Sequence, residues 1–346
     1  MLLESYDDVL KSIAKSKGRK FHLLLGNGFS MAYDKEIFSY NALHDFIQQL
    51  DNELLSKLFD IVKTKNFELI MQQLDNFESL ISVFGNDEQL KTKVRNASSL
   101  LKGSLLEAIR SLHPEHVFEI PKEKSQACAV FLGKFLGSGG HVYTTNYDLL
   151  LYWVLMRNPY LTSVDGFGRE VENPDEYVPL DELEFSELRW GKHKDNQDIY
   201  YLHGALPIFD TGVEIIKEQY DSEHYLLENI SARIDRKQYP IFVTAGNGRE
   251  KLEHIMHNKY LTYCYDTFTQ MNGSLVTFGF NFGQYDEHII DAINIAAHHG
   301  HKAPEKLWSI YIGVYSDENR RYIESIEPKF KCKVHIFDAK TAPVWG

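Results

Sequence analysis

Cysteine is scarce in this 346-residue sequence: Cys128, Cys264 and Cys332 stand far apart and form no C-x-x-C pair. They can build neither a structural zinc site nor a redox dithiol, and a reducing compartment is expected. Basic charge is scarce too. With 37 Lys and Arg against 49 Asp and Glu, the formal net charge is -12, so no overall field draws the chain to nucleic acid or to an anionic membrane. Direct nucleic-acid binding is not expected. The compact basic cluster of Lys15, Lys17, Arg19 and Lys20 precedes the first apolar run and reads as a solvated helix end. Long hydrophobic runs are missing, since the longest, Leu149 to Met156, falls far short of the roughly 20 residues that span a bilayer. The opening MLLESYDDVL carries acids where a secretory leader needs positive charge, which predicts a cytoplasmic protein. No repeat or low-complexity tract is found. What is present is an ordinary globular composition, 43% hydrophobic and 25% charged, long enough for one large domain with insertions or two modest ones.

The run FHLLL, Phe21 to Leu25, ends at Gly26, as a buried parallel strand emptying into a loop does. The pattern recurs. HVYTT leads to Asn146, DIYYL to His203, PIFVTA to Gly246 and LVTFG to Phe280, while LWSIYIGV runs to Val314 and KVHIF lies near the end. Segments with 3.6-residue spacing separate most of these, among them Ser125 to Leu136, Glu287 to Ala297 and Asp317 to Ile326. Such alternation predicts an α/β fold with a doubly wound, mostly parallel sheet covered on both faces. Two stretches interrupt it. From 41 to 112 the sequence is almost free of Gly and Pro, with apolar residues at i, i+3 and i+4, which predicts an all-helical insertion of three or four helices. From 159 to 240 it is irregular, with turn signals at Asp165-Gly166 and Asn173-Pro174. One central strand at Tyr200 and a helix near Glu223 to Arg233 are expected there. Residues 1–40 and 113–346 then form the α/β domain around the insertion.

Ligands of open α/β sheets bind beyond the carboxyl ends of the strands, so the residues after each apolar run are informative. They read Gly26-Asn27-Gly28-Phe29-Ser30, Thr144-Thr145-Asn146-Tyr147-Asp148, His203-Gly204, Thr244-Ala245-Gly246-Asn247-Gly248 and Gly279-Phe280-Asn281-Phe282. In LLLGNGFS the glycines let the backbone approach a pyrophosphate, and the helix start behind them favours its charge. A plain strand-to-helix turn accounts for the same residues, because Met31 stands where the third glycine of G-x-G-x-x-G belongs and no acid closes a second strand about 20 residues later. TTNYD exposes an amide and a carboxylate to the crevice, as an Asn-capped helix start also would. His203 offers either a base near neutral pH or a structural imidazole. His298, His299 and His301 lack a clustered acid or cysteine, so no metal is expected there.

Together and in this order, GNGFS, TTNYD, YLHG and GFNFGQYDEHI resemble the sirtuin-like superfamily, particularly its NAD-hydrolysing branch from bacterial anti-phage defence systems. The resemblance runs from about residue 21 to the end, outside the helical insertion, and implies a Rossmann-like sheet with NAD as substrate. In that family a Gly-rich first loop binds the dinucleotide, the Asn of T-x-N-x-D and a His before Gly do the chemistry, and a late G-[FY]-[SN]-x-x-x-x-D segment lines the adenosine half. Carried over, Asn146 and His203 are the expected catalytic residues, and Asp148 is expected beside the nicotinamide ribose. Gly26, Asn27, Gly28, Phe29, Ser30, Thr145, Gly246, Gly279 and Asn281 are the expected cofactor contacts. The implied activity is that of an NAD+ glycohydrolase yielding nicotinamide and ADP-ribose. A non-catalytic NAD or ADP-ribose sensor and an ADP-ribosyltransferase are the alternatives. The resemblance further implies a homo-oligomer and a HerA-like ATPase as partner.

Two departures shape the expectation. Sirtuin deacylases build a zinc module from two C-x-x-C pairs beside the acyl-lysine groove, and three scattered cysteines, none of them between 159 and 240, cannot supply it. Deacylation is therefore not expected. The deacylases' proline-containing cofactor loop also has no counterpart in MAYDKEIFSYN, Met31 to Asn41. Hydrolysis asks for less. Nicotinamide leaves a cation as a neutral base without a general acid, an amide can orient the water, and a histidine of ordinary pKa, about 6.5, can take its proton, worth typically about 10² to 10⁴ in rate.

Overall fold

The computed structural model describes residues 3–16, 18–35, 53–62, 67–85, 87–112, 114, 116–171, 179, 184–220, 225–235, 238, 240–243, 247–298 and 306–346. Along the chain, α1 (Tyr6–Ala14) leads to β1 (Phe21–Leu25) and α2 (Gly28–Tyr33), followed by α3 (Glu53–Val62), α4 (Phe67–Phe84) and α5 (Glu88–Leu112). Next come α6 (Lys122–Leu136), β2 (Val142–Thr144), α7 (Leu150–Arg157), β3 (Phe167–Gly168), β4 (Leu188–Trp190) and β5 (Ile199–Tyr201). They are followed by β6 (Gly204–Asp210), β7 (Ile215–Lys217), α8 (Leu226–Asp235) and β8 (Pro240–Phe242). The last third holds α9 (Gly248–Met256), α10 (Lys259–Thr269), β9 (Gly273–Phe278), α11 (Glu287–His298), β10 (Leu307–Val314), α12 (Asp317–Ile326) and β11 (Lys333–Asp338).

Six strands form an all-parallel sheet in the order β5-β2-β1-β9-β10-β11. Numbered by their order in the chain, that is 3-2-1-4-5-6, the strand order of Rossmann-like sheets. The continuous apolar runs follow from burial on both faces. Phe21 meets Phe135 of α6 at 5.3 Å between ring centroids, whereas Tyr143, in register with Leu24, meets Phe268 of α10 at 4.8 Å. Successive strand residues point to opposite faces, so α6 and α10 cover opposite sides of the sheet. Tyr6 of α1 packs against Phe131 of α6 and Phe337 of β11, closing the α6 side.

The stretch from 159 to 240 differs from the sequence expectation in two respects. β5, the strand at Tyr200, lies at the edge of the parallel sheet and not at its centre. A second, five-stranded antiparallel sheet also forms, in the order β3-β4-β7-β6-β8. PIFVTA, read as a parallel strand, supplies β8 of this smaller sheet. Short apolar runs look alike in either setting, and Pro240 suits an edge position because it has no N–H to give. The helix expected near Glu223 is α8.

In the 41–112 region, α3, α4 and α5 pack together over buried Phe59, Ile70, Leu74, Ile81, Val94 and Leu101, with Arg95 reaching Glu78 at 2.7 Å. Residues 36–52 and 63–66, with Asn173, Pro174 and Gly246, lie outside the described residues. Among the described residues no helix is long and apolar enough to cross a membrane.

Candidate active site

From β1 the chain winds to β2 and β5 on one side, then returns through β9, β10 and β11 on the other. A cleft of about 820 Å³ opens over the carboxyl ends at this switch point, within the usual size of cofactor sites. The loops after β1 and β9 are packed back to back. The N–H of Gly26 donates to the carbonyl of Phe278 at 3.0 Å, and that of Gly28 to the carbonyl of Gly279 at 2.9 Å. A Cβ on Gly26 would lie 2.6 Å from the Gly279 oxygen, and Gly279 itself has φ +70°, which favours glycine. Just beyond, Phe282 holds a φ of +50° without being glycine. Its buried ring packs edge-on against Phe280 and Phe330, and its carbonyl accepts from the Tyr322 hydroxyl at 2.7 Å. Such strain persists where the surroundings over-determine it.

After β2, the TTNYD segment is tied to β1 through the Thr145 N–H, which donates to the Leu25 carbonyl at 3.0 Å. Asn146 donates from Nδ2 to Ser30 Oγ at 2.9 Å, and Ser30 donates to Asp148 Oδ2 at 2.5 Å. The other Asp148 oxygen accepts the Leu150 N–H at 2.9 Å. Asp148, not Asn146, therefore serves the start of α7, which leaves the Asn146 amide to the Ser30 network.

His203 stands at the corner between the two sheets. The Leu202 N–H donates to the Thr144 carbonyl at 2.8 Å, the His203 carbonyl accepts from Val243 at 2.9 Å, and Gly204 turns the chain with φ +79°. Its Nε2 lies 2.8 Å from Nε2 of His288. Burial, then His288, then the ammonium of Lys251 push His203 well below the ordinary imidazole range. The histidine of ordinary pKa expected from the sequence is thus replaced by one that stays neutral at pH 7, because burial disfavours the charged ring. Lys251 is buried and pairs with Asp286 at 3.1 Å.

Of the expected residues, Asn27, Gly28, Thr145, Asn146, Asp148, His203, Gly279 and Asn281 line the cleft. Gly26, Phe29 and Ser30 stand behind it. The Phe29 ring packs on Trp345 at 4.9 Å, and Ser30 is fully buried under Asn146 and Asp148. The Phe29 N–H donates to the Gly26 carbonyl at 2.8 Å. Together with the Gly28 bond, this takes up two of the amides expected to meet a pyrophosphate. Sequence reasoning missed Lys251, Asp286, His288 and Trp345, of which Asp286 and Trp345 line the cleft. Asp286 had a visible sign, as the closing acid of G-[FY]-[SN]-x-x-x-x-D. The others had none. Among the described residues no three His, Cys, Asp or Glu side chains group as metal ligands. His298 ends α11, while His299 and His301 lie outside the described residues.

Comparison with protein families accounts for nearly the whole chain. It belongs to the DUF4917 family, described as a domain of unknown function, which it matches over residues 23–345. A search of curated proteins finds no match.

Proposed function

We propose that this DUF4917 protein is a sirtuin-like NAD+ glycohydrolase that cleaves NAD+ with water to nicotinamide and ADP-ribose. The observation that carries the reading is the convergence of Asn146, Asp148 and His203 on one cleft at the switch point of a 3-2-1-4-5-6 sheet. Sheets of this order hold dinucleotides at that point.

In this reading the nicotinamide ribose lies against Asn146, Asp148 and His203, and the adenosine half extends past Gly279 and Asn281. The bond from the anomeric carbon to nicotinamide breaks with its electron pair passing to the ring nitrogen, which turns a cation into a neutral leaving group. Water bonds to the anomeric carbon and gives up a proton. Asn146, anchored on Ser30, orients water and ribose, and orientation of this kind is worth several kcal/mol of barrier. The Asp148 carboxylate faces the positive charge developing on the sugar. No step uses a metal.

We read α3 to α5 as a helical insertion in the α/β domain. The working form is proposed as a cytoplasmic homo-oligomer acting in anti-phage defence with a HerA-like ATPase, on the strength of the resemblance alone. The test incubates the purified chain with NAD+ and follows nicotinamide and ADP-ribose. Release that is lost in Asn146→Ala supports the proposal. Binding of NAD+ without release replaces it with a sensor, and label transferred to a protein replaces it with a transferase.

A further inference from the structure

His203 does not meet the cleft alone. Its ring meets that of His288 end to end, with centroids 5.1 Å apart, planes 23° from parallel and the two Nε2 atoms 2.8 Å apart. Both residues are buried, at 4% and 1% exposure. His288 sits in the first turn of α11, its carbonyl accepting from the Tyr265 hydroxyl at 2.9 Å. Its Nδ1 is buried and has no hydrogen-bond partner among the described residues. Burial, reinforced by Lys251, pushes His288 down to about 3, and His203 is likewise held low. Two neutral imidazoles therefore face each other.

Neutral imidazoles can share such a contact only with a single hydrogen between them. If His203 donated, His288 would accept at Nε2 and carry its own hydrogen on Nδ1, where no acceptor stands among the described residues. Buried N–H groups without a partner are rare in folded proteins, and buried acceptors are left unpaired more readily. If His288 donates, its Nδ1 is only a bare lone pair. The hydrogen of His203 then stands on Nδ1, the ring nitrogen that His288 leaves free, and His203 is the member of the pair that lines the cleft.

We propose that His288 is a positioning residue that fixes His203 in the tautomer with hydrogen on Nδ1, so that His203 meets the ribose as a hydrogen-bond donor and not as a base. The ribose in this statement rests on the hydrolase reading; the tautomer does not. A donor at this position steadies a sugar oxygen while the glycosidic bond breaks. The water that has joined the anomeric carbon is then acidic enough to lose its proton to bulk solvent, so no base is needed.

Nitrogen NMR of the full chain, ¹⁵N-labelled in the histidine rings and assigned through correlations to the backbone, reads the tautomer directly. The expected spectrum has His203 protonated at Nδ1 and bare at Nε2, with His288 protonated at Nε2. Hydrogen on Nε2 of His203 overturns the proposal. The spectrum needs no turnover, so a wild-type chain that releases no nicotinamide defeats the hydrolase reading and leaves the tautomer standing. A second arm compares H288Q, whose amide N–H can reach the same nitrogen, with H288L, which has no donor. H288L is expected to lose kcat on the order of tenfold to a hundredfold with little change in KM, and H288Q to recover most of the loss. Equal losses in both, tracking their melting temperatures, would make His288 a packing residue only.

Discussion

Gly28 and Gly279 touch backbone to backbone: the Gly28 N–H donates to the Gly279 carbonyl at 2.9 Å, and a Cβ on Gly28 would lie 2.5 Å from the Gly279 Cα. The floor of the cleft is made of two loops that admit no side chain between them.

Gly28→Ala is therefore expected to act on the fold before it acts on any ligand. One of the two loops must shift, and overpacking of this kind costs about 1 to 3 kcal/mol. Differential scanning calorimetry without NAD+ should show the lower melting temperature. An unchanged melting point would mean that the loops stand farther apart than a 2.9 Å backbone hydrogen bond allows.

Ser30 does not line the cleft, yet it bonds both Asn146 and Asp148. Asn146→Ala should lower turnover by about 10² or more with a smaller change in KM, since positioning acts mostly on rate. Ser30→Ala should reproduce the loss without removing any group that reaches the ligand. Wild-type turnover in folded Ser30→Ala would separate the network from the chemistry.

From the sequence, His203→Ala should abolish turnover and leave the fold intact. The structure divides that expectation. Turnover should still vanish, but the substitution leaves His288 without its Nε2 partner in a buried site, at a cost of about 1 to 3 kcal/mol. His203→Gln should lose turnover with a smaller fall in stability. The two measurements, nicotinamide release and thermal melting, should part company between the variants.

Stability should fall as the medium is acidified from pH 7 to pH 5. Burial holds His22 and His288 at about 3 and His141 at about 4, and His203 is also low. Unfolded, each titrates near 6.5, so between that value and its folded one the unfolded chain binds more protons. The stability these groups confer as neutral rings is complete above about 6.5 and is lost on acidification at about 1.4 kcal/mol per unit for each histidine. Asp198, raised to about 6 by burial, opposes this as a single group. Urea unfolding at several pH values measures the slope, and His288→Gln should make it shallower. A flat profile would contradict the burial of these rings.

Chelator treatment should leave nicotinamide release unchanged, and acetylated peptide should not divert the product to O-acetyl-ADP-ribose. Cys128 lies in α6 and Cys264 in α10, both buried, with the Cys264 thiol pushed up to about 12 and that of Cys128 raised well above its ordinary value. On opposite sides of the sheet the two thiols cannot share an ion, and among the described residues no three His, Cys, Asp or Glu side chains group as metal ligands. Elemental analysis and mass spectrometry of the products decide both points.

The parallel sheet was legible because its strands are buried on both faces and read as unbroken apolar runs, from FHLLL to LWSIYIGV, separated by amphipathic helices such as Asp317–Ile326. The small antiparallel sheet was not. β3 has two residues and β4 three, too few to display alternation, and β6 is buried along nearly all its length, which hides its antiparallel pairing. At the cleft, strand ends pointed to Asn146, Asp148 and His203, and all three line it. His288 stayed hidden because, within EHIIDAINIAAH, it reads as an ordinary polar residue in a first helical turn. Its burial depends on a partner 85 residues earlier, and periodicity carries no record of such a partner.

His203 is reached from β5 and left into β6 within three residues, pinned on one side by the ladder of the parallel sheet and on the other by Val243. The same β6 continues to a hairpin tip where a Cβ on Gly212 would meet nothing within 4 Å and Val213 is 91% exposed. A scan of short peptide insertions along this stretch should therefore find a gap in tolerance around 201–205 and free acceptance at 212–213. That tip is the place to graft a reporter or an affinity tag, near in sequence to the His203 corner but mechanically apart from it.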